Sequence, residues 1–375
     1  MLGSRRLIID TWSEVYDLLK PYADGEFWDF AKEEIDTSAI YVIGRLQLKE
    51  NLDQVTKMVN QRPGCVIFCN PAEGSQTIKL QMARLGIHEL VRQRKLLLLT
   101  SGDLEEGYYQ FSTDGYFTNI VEYLDNQAAA THDVFAPGKP YDFLFLNGRL
   151  RPHRKYMLSR FREMGLLDRS LWTCLEERVS MATGTRLTLD PNCEEIKLLP
   201  AQYEIERAIP QLDLPKPDRD VKHFLFNDTW GDAIVNPNCY IDTCFSVVTE
   251  TIYEYPYTFR TEKIWKPILM AHPWIAVANN GYYRDMHKAG FQTFGKLINE
   301  SFDLIDNSQD RIERIISTVN DIVQNGSEAF LQASRNICKY NQQHLVEYNR
   351  QQRAELPIKL LDHINERSRI PSTTT

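Results

Sequence analysis

The chain has 375 residues, long enough for two domains, and enough apolar and aromatic side chains to fill a substantial core, which excludes a disordered protein. A formal net charge of −8 weighs against bulk electrostatic attachment to nucleic acid or to an anionic membrane. Seven scattered cysteines, with no CxxC pair and no histidine-rich neighbour, read as buried free thiols of a reducing compartment rather than as zinc ligands, and no metal site is expected.

No signal peptide is evident, since only three apolar residues separate Arg6 from Asp10, and no apolar run approaches the length of a membrane span. A cytoplasmic location is expected. The first third alternates short apolar runs with helical patterns. Residues 39–43 read as a buried strand, and Leu48, Leu52, Val55 and Val59 recur at helical spacing. Residues 65–69 form a second strand, a helix runs through Leu80 and Leu85, and residues 95–100 form a third strand. Such alternation predicts parallel βαβ units with both sheet faces covered.

Phe135-Ala136-Pro137-Gly138-Lys139-Pro140 breaks the pattern and marks a hinge between a first domain, 1–138, and a second, 139–345. The second series opens with a strand at 142–146 and a helix entered at Pro152, followed by Met157, Phe161 and Met164 at helical spacing. Residues 191–219 turn to proline and charge and read as an excursion. Strands near Phe224, near Cys244 and at 274–278 complete the domain, with helices near 310–323 and 328–348. A C-terminal helix and flexible tail occupy 346–375. The fold class is therefore α/β, with two Rossmann-like domains and a helical C-terminal extension.

Two segments carry charge where a helix start disfavours it. Arg260, Lys263 and Lys266 crowd the entry of a helix that begins Thr261-Glu262-Lys263, and each cation there costs about 0.3–1 kcal/mol against the helix dipole. An anion bound among them offsets that cost. The second segment, Asn147-Gly148-Arg149-Leu150-Arg151-Pro152-His153-Arg154-Lys155, is a strand-to-helix turn with four cations and no acid before Glu163. Loops at the carboxyl ends of parallel strands form the ligand crevice, and arginine forks suit phosphate. Blander readings stand beside these: a solvated basic face for one, and a helix capped by Thr261 with Lys263 in water for the other. Glu250, ending a β-branched strand, could face the same crevice, where a carboxylate suits a ribose diol.

The strand-end Glu250, then Thr261-Glu262-Lys263, an apolar helix and a buried strand together resemble the donor-site signature of the α-1,3-fucosyltransferases. They also resemble a wider set of sugar-nucleotide glycosyltransferases, including uncharacterised ones of phages and marine microbes. The chain departs from that signature in having Thr251-Ile252 after Glu250, where the family has Asn-Ser, and in a slightly longer gap to Thr261. The resemblance covers the second domain. It implies a GT-B arrangement, two Rossmann-like domains facing across a cleft, with donor in the second and acceptor in the first. It implies that Lys263 binds the donor diphosphate and Glu262 the ribose, and that the diphosphate-binding arginine is Arg154, with Arg149 and Arg151 as competitors.

The activity so implied is transfer of a sugar from a GDP- or UDP-linked donor to a glycan or other hydroxyl acceptor, with no cofactor beyond the donor and no metal. A base must then take the acceptor proton. Glu73, after the 65–69 strand, and Asp103, after the 95–100 strand, are the candidates, each equally readable as a cap or turn residue. Asp218-Arg219-Asp220 matches a metal-binding Asp-x-Asp only superficially, because it follows no apolar strand. Tyr253, Tyr255, Tyr257 and Phe259 alternate before the motif and suit packing better than base stacking. The alternatives are a DNA-modifying transferase acting on hydroxymethylated bases, its 149–162 segment touching phosphates, and a non-catalytic nucleotide-sugar or glycan binder. Nucleic acid ranks below a glycan as partner.

Overall fold

The computed structural model describes residues 6–13, 15–36, 38–71, 82–101, 107–113, 121, 133–147, 151–174, 235, 237–253 and 258–367. The protein is α/β with two parallel sheets, and the chain divides into two compact units, Met1–Thr118 with Glu347–Thr375, and Asn119–Val346.

The first unit holds strands β1 (Leu7–Asp10), β2 (Gly25–Phe27), β3 (Ile40–Ile43), β4 (Val66–Cys69), β5 (Leu97–Thr100) and β6 (Gln110–Ser112), all paired in parallel in the order β2-β1-β3-β4-β5-β6. Because side chains alternate across a strand, each short apolar run supplies both faces. Ile8, Tyr41, Ile43, Val66, Phe68 and Leu98 pack with Leu48, Val55 and Val59 of the helices Arg45–Glu50 and Leu52–Gln61. Leu7, Ile9, Val42, Ile67, Leu97 and Leu99 pack on the other face with Leu18 and Leu19.

Leu356, Leu360 and Ile364 join that second face. They lie four apart on a helix running from Ser327 to Arg367, so one stripe of its last part covers the sheet. The stretch read from sequence as a separate extension is thus part of the first core. Pro357 sits inside this helix and removes one backbone donor without ending it.

The second unit holds β7 (Tyr141–Asn147), β8 (Ser170–Cys174), β9 (Thr243–Thr249) and β10 (Trp274–Val277), parallel and ordered β10-β9-β7-β8. Its core is aromatic: Phe143 stacks on Phe245 at 5.5 Å and meets Phe161 edge-on at 5.4 Å, while Trp265 and Trp274 are fully buried. The Phe135–Pro140 stretch lies in this unit. The amides of Gly138 and Lys139 donate to the Glu328 carboxylate at 2.8 and 3.0 Å, and Gln332 donates to the Phe135 carbonyl.

Among the described residues no helix is long and apolar enough to cross a membrane. Cys65, Cys69, Cys239, Cys244 and Cys338 are free and buried. Burial pushes the Cys239 and Cys244 thiols up to about 12, which leaves them protonated and unreactive. The expected excursion at 191–219, the strand near Phe224 and Asp218–Asp220 lie outside the described residues.

Leu360→Ala should cost the protein about 2–5 kcal/mol, as for other buried leucines. Chemical denaturation checks this, and a loss within measurement error would mean that the helix does not contribute to the first core.

Candidate functional site

In the second sheet the chain leaves β7 towards β8 on one side and returns to place β9 on the other. The crevice outside the carboxyl ends of β7 and β9 is therefore the topological switch point, where open parallel sheets bind ligands. Both charged segments singled out in the sequence converge there.

The helix Pro152–Glu163 starts with proline at its first position, Arg151 as N-cap in extended geometry and no acid in its first turn. Its buried side is His153, Arg154, Met157, Leu158 and Phe161. Arg154 and Leu158 stand four apart, as do His153 and Met157, so the start of the apolar stripe is polar. These two side chains turn to β9. Arg154 Nη2 donates to the carbonyls of Thr249 at 2.9 Å and Glu250 at 3.4 Å, and His153 Nε2 donates to the Glu250 carbonyl at 3.0 Å. The His153 ring also stacks on Tyr253 at 5.3 Å, and the Arg311 guanidinium sits 4.5 Å from the same tyrosine. Burial, and then the charges of Arg154 and Arg151, pull the His153 pKa down to about 3, so the ring is neutral at pH 7.

Glu250 is fully buried at the end of β9. One carboxylate oxygen accepts from the Thr261 amide at 3.2 Å and the Tyr282 hydroxyl at 2.9 Å, and the other accepts from the Thr261 hydroxyl at 2.7 Å. Burial raises its pKa despite the charge of Lys263. With both oxygens occupied, Glu250 positions the next element rather than presenting a free carboxylate.

That element is the helix Glu262–Leu269. Thr261 is its N-cap: the hydroxyl accepts from the Lys263 amide at 3.4 Å while donating to Glu250. Pro267 lies within the helix as its sixth residue and leaves the Lys263 carbonyl without its helical donor; the helix continues two residues further and closes with Met270 and His272 donating to Lys266 and Pro267. Glu262 is buried, whereas Lys263 and Lys266, three residues apart on one face, are partly exposed. The Lys263 ammonium contacts the Glu262 carboxylate and lies 3.4 Å from the Thr261 hydroxyl. Burial alone would raise the Glu262 carboxyl; Lys263 and Lys266 together outweigh it, and the net direction is down.

Asn147, the last residue of β7, stands in the sequence only as the first residue of the basic turn, with no role of its own assigned to it. It is buried, its Oδ1 accepts from the Thr249 hydroxyl at 2.7 Å, and its Nδ2 has no hydrogen-bond partner. A buried amide donor left unpaired costs about 1–3 kcal/mol, which a ligand acceptor at the switch point would recover. The available signal was an amide directly after the apolar run Phe143-Leu144-Phe145-Leu146 and directly before a glycine.

The structure thus brings Arg154, Glu250, Glu262 and Lys263 into one connected cluster with Arg151 at the helix entry. Arg149, Glu73 and Asp103 lie outside the described residues, as do Tyr255 and Tyr257; Tyr253 and Phe259 are buried packing residues. Further along the basic helix, Arg160 pairs with Glu163 at 2.5 Å and Glu313 at 3.1 Å, which reduces its charge for phosphates. Among the described residues no group of three or more histidine, cysteine, aspartate or glutamate side chains is arranged to hold a metal ion. Comparison with protein-family models, characterised proteins and solved structures finds no match to this chain.

Two outcomes follow. Glu250→Ala strands the Thr261 amide and hydroxyl and the Tyr282 hydroxyl, and should cost about 3–5 kcal/mol in denaturant unfolding, with Glu250→Gln restoring part of it. The pH response has a fixed sign. His153 and His272, the latter held by Ser246 and Thr243, titrate near 6.5 when unfolded and at about 3 when folded. Above 6.5 both states are neutral and neither histidine contributes. As pH falls through that window the unfolded chain binds more protons, and stability falls by up to about 1.4 kcal/mol per pH unit for each histidine. His272→Gln should flatten the slope of unfolding free energy against pH within the window; an unchanged slope would contradict a buried neutral ring.

Proposed function

We propose that the protein is a glycosyltransferase that moves a sugar from a nucleoside-diphosphate donor, GDP- or UDP-linked, to a hydroxyl acceptor. The observation that carries this is the start of the Glu262 helix: cations fixed by a buried carboxylate at the switch point of a parallel sheet, beside the unpaired amide of Asn147. Its resemblance to the α-1,3-fucosyltransferase donor signature supports the same reading, as does the presence of two parallel α/β sheets in separate units, which suits a GT-B arrangement.

In this reading Lys263, the helix start and Asn147 receive the diphosphate. Displacement at the anomeric carbon loads negative charge on the leaving diphosphate, and preorganised cations and backbone amides stabilise that charge as it develops. Arg151, partly exposed at the N-cap of the other helix, is the candidate arginine on the β7 side among the described residues. Arg154 acts by fixing that helix start to β9. Glu262 orients Lys263 and is the nearest carboxylate for ribose hydroxyls.

A thermal-shift panel of UDP, GDP and CDP tests the proposal: a nucleotide at 100 times its Kd adds about 2.7 kcal/mol of stability. Stabilisation by none of them would sink it. With the best nucleotide, Lys263→Ala should weaken binding about tenfold to a hundredfold, and because its ammonium offsets the buried Glu262 carboxylate it should also lower the unliganded melting temperature, which Lys263→Ala/Glu262→Gln should partly restore without restoring binding. Arg154→Ala should lower the unliganded melting temperature as well. Binding of a donor sugar with neither transfer nor slow hydrolysis would make the protein a binder and not an enzyme.

A further inference from the structure

The crevice at the end of β9 holds two buried carboxylates and, in the reading above, must still receive an anion. Glu250 ends the strand and Glu262 opens the next helix. Burial first, and then the charge of Glu262, raise the Glu250 carboxyl, while Lys263 opposes that rise. The same Lys263 ammonium contacts the Glu262 carboxylate. One ammonium set against two acids has little attraction left for a diphosphate. With Lys263 as their only counter-charge, the two carboxylates would leave the cluster net negative, and it would repel such a ligand.

A second cation stands on the same helix. Lys266 follows Glu262 by four residues, the spacing that brings an acid and a cation together on one helical face, with the acid in the favourable position nearer the N-terminus. Lys263 follows Glu262 by one, a spacing at which side chains do not face each other, and reaches the carboxylate by folding back beside the Thr261 hydroxyl. The Lys266 pairing is therefore set by the helix itself, whereas the Lys263 contact can be given up to a ligand. Burial would raise the Glu262 carboxyl; Lys263 first and Lys266 second pull it down, and it is ionised at neutral pH. Two other charged groups flank this pair. Glu250 reaches it from β9, its oxygens taken by Thr261 and Tyr282, and Arg260 donates to the Asp285 carbonyl on the helix at Tyr282.

We infer that Lys266 is a positioning residue of the donor site, which carries the counter-charge of Glu262 and so releases Lys263 for the diphosphate. This role rests on the donor reading proposed above. Lys266 itself touches no ligand. It keeps Glu262 an ionised acceptor for ribose hydroxyls while the Lys263 ammonium turns to phosphate oxygens. A cation in the last turn of a helix also complements the dipole, but that contribution is independent of Glu262 and of any ligand.

Titration calorimetry of the full chain with UDP and GDP, in buffers of different ionisation heat, tests this. Lys266→Met should weaken the nucleotide that wild type binds about tenfold or more. Binding to the variant should also take up more protons than binding to wild type, because Lys263 leaves Glu262 unpaired in the complex and its carboxyl rises. The complex then holds more protons than the free variant, so the loss of affinity should be larger at about pH 8 than at about pH 6. The ligand's own protons cancel in the comparison with wild type. Lys266→Arg should restore affinity and proton balance. Lys266→Met/Glu262→Gln should bind nearly as wild type does, unlike Lys263→Ala/Glu262→Gln. Without ligand, Lys263→Met and Lys266→Met together should cost more in denaturant unfolding than the two single losses added, and Glu262→Gln should remove the excess. Unchanged affinity and proton uptake in Lys266→Met would overturn the role of Lys266 and leave the donor reading standing. A lost affinity that Glu262→Gln does not repair would overturn it too, making Lys266 a direct phosphate ligand. Failure of wild type to bind either nucleotide would overturn the donor reading and this role with it, even where unfolding shows the Lys266–Glu262 coupling.

Discussion

A carboxylate taken wholly out of water must be compensated by hydrogen bonds, and at the end of β9 that requirement organises the second unit. Glu250 accepts from the amide and hydroxyl of Thr261 and from the hydroxyl of Tyr282. Three elements are thereby joined: the end of β9, the cap of the Glu262 helix and the start of the helix at Tyr282. Backbone carbonyls at the same strand end hold a fourth, because Arg154 and His153 donate to Thr249 and Glu250. Removing Glu250 leaves buried donors unpaired around it. The positions of Lys263 and of the basic helix start both depend on this one cluster.

The same design recurs at the first sheet in different chemistry. There Asp10, also buried at a strand end, holds amides of two loops, and Gln47 holds a third segment. In one unit the buried acid sets cations around a crevice; in the other it ties the loop after β1, at Trp12, to Gly44. A parallel sheet gathers its loops at one end, so a buried polar group at a strand terminus is an economical way to fix several of them at once.

Long apolar runs were readable in the sequence. The strands at 40–43, 66–69, 97–100, 141–147, 243–249 and 274–277 stand where apolar runs and β-branched residues put them. Four strands were not: β1, as long as β3, was noted only as three apolar residues before Asp10, β2 and β6 have three residues each with polar members, and β8 was unremarked. The long final helix was read as two, one near 328–348 and a C-terminal one within 346–375, because its apolar stripe changes partners along its length and no single face persists. Thr261 as a cap and Lys263 as a cation beside it were legible from residue type. The role of Arg154 was not, since a cation four residues before Leu158 reads equally as a ligand or as the polar end of a buried stripe. Asp10 and Gln47 were assigned no role, and Asn147 none beyond opening the basic turn, because what distinguishes them is burial, which only the assembled sheets create.

The most direct test of the central claim is a crystal structure of the full chain grown with UDP or GDP. The account predicts the diphosphate at the start of the Glu262 helix, with oxygens within hydrogen-bond distance of the Lys263 ammonium and Asn147 Nδ2, and with the Glu250–Thr261 bonds intact. A diphosphate bound elsewhere, with Asn147 Nδ2 and Lys263 untouched, would contradict it.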